Sequence, residues 1–251
     1  MARGWVKPPA WAVSVVSAGV LFLGVGYPLA ADRGSDVVHT AEGARISVPT
    51  VSPAPIVAFI GDSYAAGAGA TILKYRFTED LSILRDWTQI NLARGGTGYV
   101  TSIGPDVSKD FCGLDYCANY DEMVELVAQY RPTTVVVSGG RNDLGQESSS
   151  EYPRRVADFY AHLRESLPSA NIIAISPLSL WDASDPPEGL VQMGEVIRSA
   201  VEVVDGTYVD VGQPLLGRWD LMSPDSKHPN NAGHGAIAAA IHAAIPDGSD
   251  R

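Results

Sequence analysis

Apolar runs of about five residues alternate with stretches of helical spacing along most of the chain. Ile56–Ile60, Thr88–Leu92, Thr133–Ser138, Ile172–Ser176 and Tyr208–Val211 read as strands. Between them the spacing predicts helices over Thr78–Arg85, Tyr120–Tyr130, Tyr152–Leu167, Gly189–Val204 and Ala232–Ile245. Thr78 is placed to cap the first of these, and Pro153 suits the first turn of the third. Strands and helices alternating at this interval predict an α/β fold, with a parallel sheet covered on both faces and right-handed crossovers. Ligands of such sheets bind at the carboxyl ends of the strands.

The first part of the chain has a different pattern. Arg3 and Lys7 precede an uncharged segment, residues 8–31, and Asp32 follows it. About 20 such residues in a helix would span a bilayer, and the flanking charges predict an N-in, C-out orientation. An uncleaved signal anchor and a cleaved signal peptide are both open for residues 1–31. The second is weakened by Leu29 at the −3 place of the nearest cleavage option, Leu29-Ala30-Ala31. Residues 32–54, with Pro49 and Pro53, read as a linker; 55–246 as the folded domain; 247–251 as a tail. Both export readings put the domain outside the cytoplasm, in the cell envelope or secreted.

That setting changes the reading of the two cysteines. Cys112 and Cys117 are the only pair in the chain, and in an oxidising compartment a short-loop disulfide is the expected pairing, against two free buried thiols. They make neither a redox Cys-x-x-Cys nor half of a zinc site, and no metal or cofactor is expected. The domain is expected to be a monomer. A net charge of −11 disfavours nucleic acid as a partner.

The candidate chemistry falls at strand ends. Ser63 follows the first strand in Gly61-Asp62-Ser63, as an exposed nucleophile or simply a turn residue. Gly-x-Ser-x-Gly is absent, since Ala65 takes its last place. Asp225 precedes His228 by three residues, so a turn can bring the carboxylate onto Nδ1 and leave Nε2 for Ser63; a surface acid in a helix-capping loop is the alternative. Two glycine-containing loops, Arg94-Gly95-Gly96 and Gly139-Gly140-Arg141-Asn142, offer oxyanion donors in the Gly96 N–H and the Asn142 amide, or are plain turns. Tyr64, Tyr99, Trp181 and Trp219 are candidates either for a sugar-binding cleft or for core packing. His234, one turn into the closing helix, reads as structural.

Gly61-Asp62-Ser63, Gly96, Gly140-Arg141-Asn142-Asp143 and Asp225-x-x-His228-Pro229, in that order, resemble the four blocks of the SGNH hydrolases, also called GDSL esterases/lipases. The resemblance spans roughly residues 56–245. It implies a flavodoxin-like three-layer α/β/α sandwich with a five-stranded parallel sheet of order 2-1-3-4-5, and no metal or cofactor. It also implies Ser63 as nucleophile, His228 as general base, Asp225 as the orienting acid, and an oxyanion hole from Ser63 N–H, Gly96 N–H and the Asn142 amide. Arg141 stands where many members have Gly or Thr, and the neighbouring Gly95 leaves open which glycine donates. The expected activity is a serine esterase acting through an acyl-enzyme on small-molecule, glycan or lipid esters. Acyl transfer to an envelope glycan, or a catalytically silent binding module, are the alternatives.

Overall fold

The computed structural model describes residues 53–179 and 185–246. The signal-anchor or signal-peptide segment, nearly all of the linker, Trp181 and the tail lie outside the described residues. Among the described residues, no helix is long and apolar enough to cross a membrane.

Five strands, β1 (Ile56–Gly61), β2 (Thr88–Asn91), β3 (Thr134–Ser138), β4 (Asn171–Ile175) and β5 (Thr207–Val209), form one parallel sheet in the order β2-β1-β3-β4-β5. Every strand lies within two residues of its expected place, and the order is the one the family resemblance implied. Among the described residues, seven α-helices surround the sheet: α1 (Ser63–Ala66), α2 (Phe77–Arg85), α3 (Ser108–Cys112), α4 (Val124–Gln129), α5 (Tyr152–Ser166), α6 (Glu188–Val203) and α7 (Asn231–Ala244).

The two-residue side-chain period of a strand divides the apolar runs between two cores. Ala58, Ile60, Val135, Val137 and Ile172 face one side, against Val124 and Val127 of α4, Phe159 and Leu163 of α5, and Ile197 of α6. Val57, Phe59, Val136, Ile173 and Ile175 face the other, against Phe77 and Leu81 of α2 and Ile237 and Ile241 of α7. Each fully buried Val, Leu, Ile or Phe is worth about 1.5–3 kcal/mol, so a strand that loses polar alternation gains on both faces at once. This is why β1 and β3 carry uninterrupted apolar runs.

Two expectations are corrected, and two short helices are added to those expected. Thr78 does not cap α2. It lies inside the helix, fully buried, and its hydroxyl accepts from Asn91 Nδ2 at 2.9 Å. The Phe77 N–H at that helix start is satisfied instead by His234 Nδ1, at 3.3 Å, from α7. The helix predicted over Tyr120–Tyr130 is a 3-10 turn, Asp121–Met123, running into α4. Asn119 and Glu122 start it by a reciprocal capping box, with N–H to side-chain oxygen distances of 2.9 and 3.0 Å. Finally, α1 and α3 are too short to show a helical period, and only their caps betray them: Asp62 accepts the Tyr64 N–H at 2.9 Å, and Gly113 leaves α3 at φ +75°.

Candidate active site

β1 ends against β3 so closely that Gly61 has no room for a side chain. A Cβ there would lie 2.5 Å from the Ser138 carbonyl oxygen and 2.6 Å from Ala65 Cβ. The chain therefore turns directly from the strand into α1, and Ser63 becomes the first residue of that helix. Its N–H has no intrahelical acceptor at that position. Asp62 is nearly completely buried beneath it. Burial pushes the Asp62 carboxyl above its ordinary value, opposed by the Arg141 charge and the Tyr64 N–H.

The imidazole arrives on a segment 165 residues away in sequence. Met222 and Pro229 pair as an antiparallel bridge, and the Ser223 N–H donates to the His228 carbonyl at 2.8 Å. Ser226, at φ +57°, turns the chain between them. Asn230 clamps the base of this turn. Its amide donates to the carbonyls of Asp220 (2.8 Å) and Met222 (3.1 Å), while its side-chain oxygen caps α7 at the Gly233 N–H (3.0 Å). The turn places His228 Nε2 3.0 Å from Ser63 Oγ and His228 Nδ1 2.6 Å from Asp225 Oδ2. The structure thus brings Ser63, His228 and Asp225 into one line of hydrogen bonds.

Asp225 is held as an ion. Burial pushes its carboxyl up, but donation from His228, from the Ser223 hydroxyl at 2.6 Å, and from the Lys227 and His228 N–H groups at 2.9 and 3.0 Å outweighs burial. The net effect is a carboxyl well below the usual range. An anion fixed on Nδ1 selects the tautomer whose Nε2 accepts a proton.

The two glycine-containing loops meet beside this line. The Asn142 amide donates to the Thr97 carbonyl at 2.9 Å, which joins the loop after β3 to the loop after β2. Asp143 joins them again from below. Fully buried, it accepts the N–H groups of Tyr99 (2.7 Å), Thr101 (3.0 Å) and Val100 (3.4 Å). Burial raises its carboxyl, and these bonds oppose the rise. Gly96 takes φ +77°, a conformation that favours glycine, and its N–H has no internal acceptor among the described residues. Gly95 instead packs against the Phe111 carbonyl.

Arg141 reaches Tyr64. Its guanidinium lies 4.5 Å from the centre of the Tyr64 ring and donates to the Tyr64 hydroxyl at 2.8 Å. By residue type alone Tyr64 is a cleft or core candidate, and no role is expected of Asp143 or Asn230. The available signals were Asn230 directly before an Ala/Ile-rich helix, a common capping arrangement, and an acid directly after Asn142. Of the other aromatics, Tyr99 is core, whereas Trp219 is 71% exposed. His234 is structural as expected: buried, with Nδ1 on Phe77 N–H and Nε2 donating to the Ala68 carbonyl at 3.1 Å. The expected disulfide joins Cys112 and Cys117. Among the described residues, no cluster of three His, Cys, Asp or Glu side chains could hold a metal ion.

The model of the GDSL-like lipase/acylhydrolase family matches residues 59–236. A GDSL lipase of Mycobacterium tuberculosis is 28% identical over 197 residues, which cover 74% of this chain and 79% of that protein. A psychrotrophic esterase from Pseudoalteromonas sp. shares the fold with a TM-score of 0.56 at 17% identity, over 76% of this chain and 96% of that one. A family two carbohydrate esterase from Cellvibrio japonicus does so with a TM-score of 0.55 at 14% identity, over 77% of this chain and 61% of that one.

Proposed function

The chain belongs to the GDSL-like lipase/acylhydrolase family and is a carboxylic ester hydrolase, and on that premise we propose that it is a serine esterase working outside the cytoplasm, with Ser63 as nucleophile, His228 as general base and Asp225 as the acid that orients it. The observation that carries this reading is the unbroken run Ser63 Oγ–His228 Nε2 (3.0 Å) and His228 Nδ1–Asp225 Oδ2 (2.6 Å).

In the proposed reaction Ser63 Oγ attacks the ester carbonyl while its proton passes to His228 Nε2. Asp225 stabilises the resulting imidazolium through Nδ1–H. The tetrahedral oxyanion accepts hydrogen bonds from the Ser63 N–H, the Gly96 N–H and the Asn142 amide; one such donor is worth about 3–4 kcal/mol of transition-state stabilisation. Collapse expels the alcohol, which takes the proton from Nε2 and leaves an acyl-Ser63 ester. Water then attacks that ester, gives its proton to Nε2, and the acid departs as Ser63 recovers its hydrogen.

Esters of carbohydrates or lipids with short acyl groups are the proposed substrates. The uncharged segment 8–31 after Arg3 and Lys7, together with the Cys112–Cys117 disulfide, supports a place outside the cytoplasm. The test is a panel of acetyl, butyryl and octanoyl esters, assayed with and without a polyol acceptor. The reading predicts free acid as the product, fastest with the shorter chains, and turnover lowered roughly 10³-fold or more in Ser63→Ala. Turnover that survives in Ser63→Ala would reject it, and acylated polyol as the main product would replace hydrolysis by transfer.

A further inference from the structure

Two side chains crowd Gly96. A Cβ built on it would lie 2.6 Å from Phe111 Cδ1 and 3.2 Å from Ile103 Cγ1, so both side chains fill the space that a side chain at this position would need. Neither residue belongs to the four sequence blocks, and both are tied to Cys117. Ile103 exchanges two backbone hydrogen bonds with Cys117, each 3.0 Å, in an isolated antiparallel bridge. Phe111 immediately precedes Cys112, which is cross-linked to Cys117. The carbonyl of Phe111 also closes on Gly95. Cys117 itself is fully buried, while Phe111 is half exposed.

We propose that Ile103, Phe111 and the Cys112–Cys117 disulfide are positioning residues for the oxyanion donor, forming a clamp that holds Gly96 at its positive φ with the N–H turned to the reacting carbonyl. The proposal rests on the assignment of Gly96 as an oxyanion donor. Helix α3 spans only five residues, Ser108–Cys112. A helix that short is not stable by itself in water, so its place depends on what it is fastened to. The disulfide fastens its last residue to the strand-like pair that carries Ile103. Without it, the half-exposed Phe111 ring loses its covalent tie to the Cys117–Ile103 pair. The loop is then free to turn the N–H away, and a displacement of about 1 Å in a catalytic group can cost 10²-fold in rate.

The test compares the full chain with Cys112→Ser/Cys117→Ser, Phe111→Ala and Phe111→Leu on a short-chain ester, below the melting midpoint of every variant. The clamp predicts that the double serine variant and Phe111→Ala each lose on the order of tenfold in kcat, part of the loss expected for an absent oxyanion donor, with KM within about twofold. Phe111→Leu, which keeps an apolar group over Gly96, recovers most of the rate. Labelling by a fluorophosphonate, whose adduct is tetrahedral, slows by the same factor as kcat. A purely structural role would lower the melting midpoint and leave kcat and the labelling rate at wild-type values, which overturns the proposal. A loss confined to KM overturns it as well. If the double serine variant does not fold, the Phe111 pair decides, because its disulfide is intact. Replacing the Gly96 N–H by an ester oxygen, with glycolate incorporated at position 96, separates the two levels: wild-type kcat there removes the oxyanion assignment itself, whereas a large loss there beside unchanged Phe111→Ala removes only the clamp.

Discussion

The Tyr64 hydroxyl donates to the Lys227 carbonyl at 2.9 Å, so the side chain next to Ser63 holds the backbone next to His228. Burial keeps the phenol protonated, and Arg141, donating to the same oxygen at 2.8 Å, fixes its direction. The three chain segments of the site are thereby tied together without passing through Ser63 or His228. Removing the hydroxyl in Tyr64→Phe leaves two part-buried groups, the Lys227 carbonyl and the Arg141 guanidinium, without this partner. We expect a stability loss of about 1–3 kcal/mol and a fall in kcat on the order of tenfold as the His228 turn loosens, with KM nearly unchanged. Urea unfolding and steady-state kinetics on the same variant check both.

Asp143 supports the loop that carries Gly96, with both carboxylate oxygens accepting backbone N–H groups. Asp143→Asn preserves the shape but turns an NH₂ toward one of those donors. The expected cost is roughly 2 kcal/mol, seen as a melting midpoint lower by about 4–8 °C, with a loss of kcat because Asn142 and Gly96 ride on the same loops. Unchanged thermal stability would contradict this account of the loop junction.

Much of this frame is legible in the sequence for a definite physical reason. Apolar runs such as Thr134–Ser138 announce a doubly covered strand, because no other placement hides every residue of the run. Ser63, Asn142 and the Asp225–His228 turn are candidates by residue type and spacing, and the ordered resemblance to the family blocks is what singles them out from plain turns. The remainder is not local. Phe77 N–H finds its acceptor on His234, 157 residues away, so the start of α2 carries no cap of its own to read. The Arg141–Tyr64 contact likewise joins residues 77 apart, and nothing at either position alone predicts it. Helix α3 is too short to leave a period, yet its disulfide brings Phe111 to Gly96.

His234 makes stability depend on pH. Its Nδ1 accepts from Phe77 N–H and its Nε2–H donates to the Ala68 carbonyl, so the buried ring is held neutral and burial lowers its pKa to about 4. The unfolded chain binds the proton at an ordinary value near 6.5. Since the folded value is the lower one, the contribution is complete above about pH 6.5 and is lost as pH falls toward 4, up to about 3 kcal/mol in all. Urea unfolding at pH 7 and pH 5 should show a drop that is clearly smaller in His234→Gln. An equal drop in both proteins would contradict this origin.

Asn230 serves the helix and the His228 turn together. Asn230→Ala removes the α7 cap, worth about 1 kcal/mol, and frees the Asp220 and Met222 carbonyls. Asn230→Asp keeps the cap but not the amide donors. We therefore expect Asp to recover the helix share of the stability without recovering kcat, a split that thermal melts and kinetics on the two variants would show. Equal kcat in both variants and wild type would remove Asn230 from the control of the turn.

The hydroxyl of Ser63 is the group proposed to bond to substrate. Treating the full chain with a fluorophosphonate and mapping the product by peptide mass spectrometry tests this most directly. We predict a single adduct on Ser63, formed far more slowly in His228→Ala and absent in Ser63→Ala. An adduct on another serine, or a folded protein that turns over esters and takes no label at Ser63, would contradict the assignment.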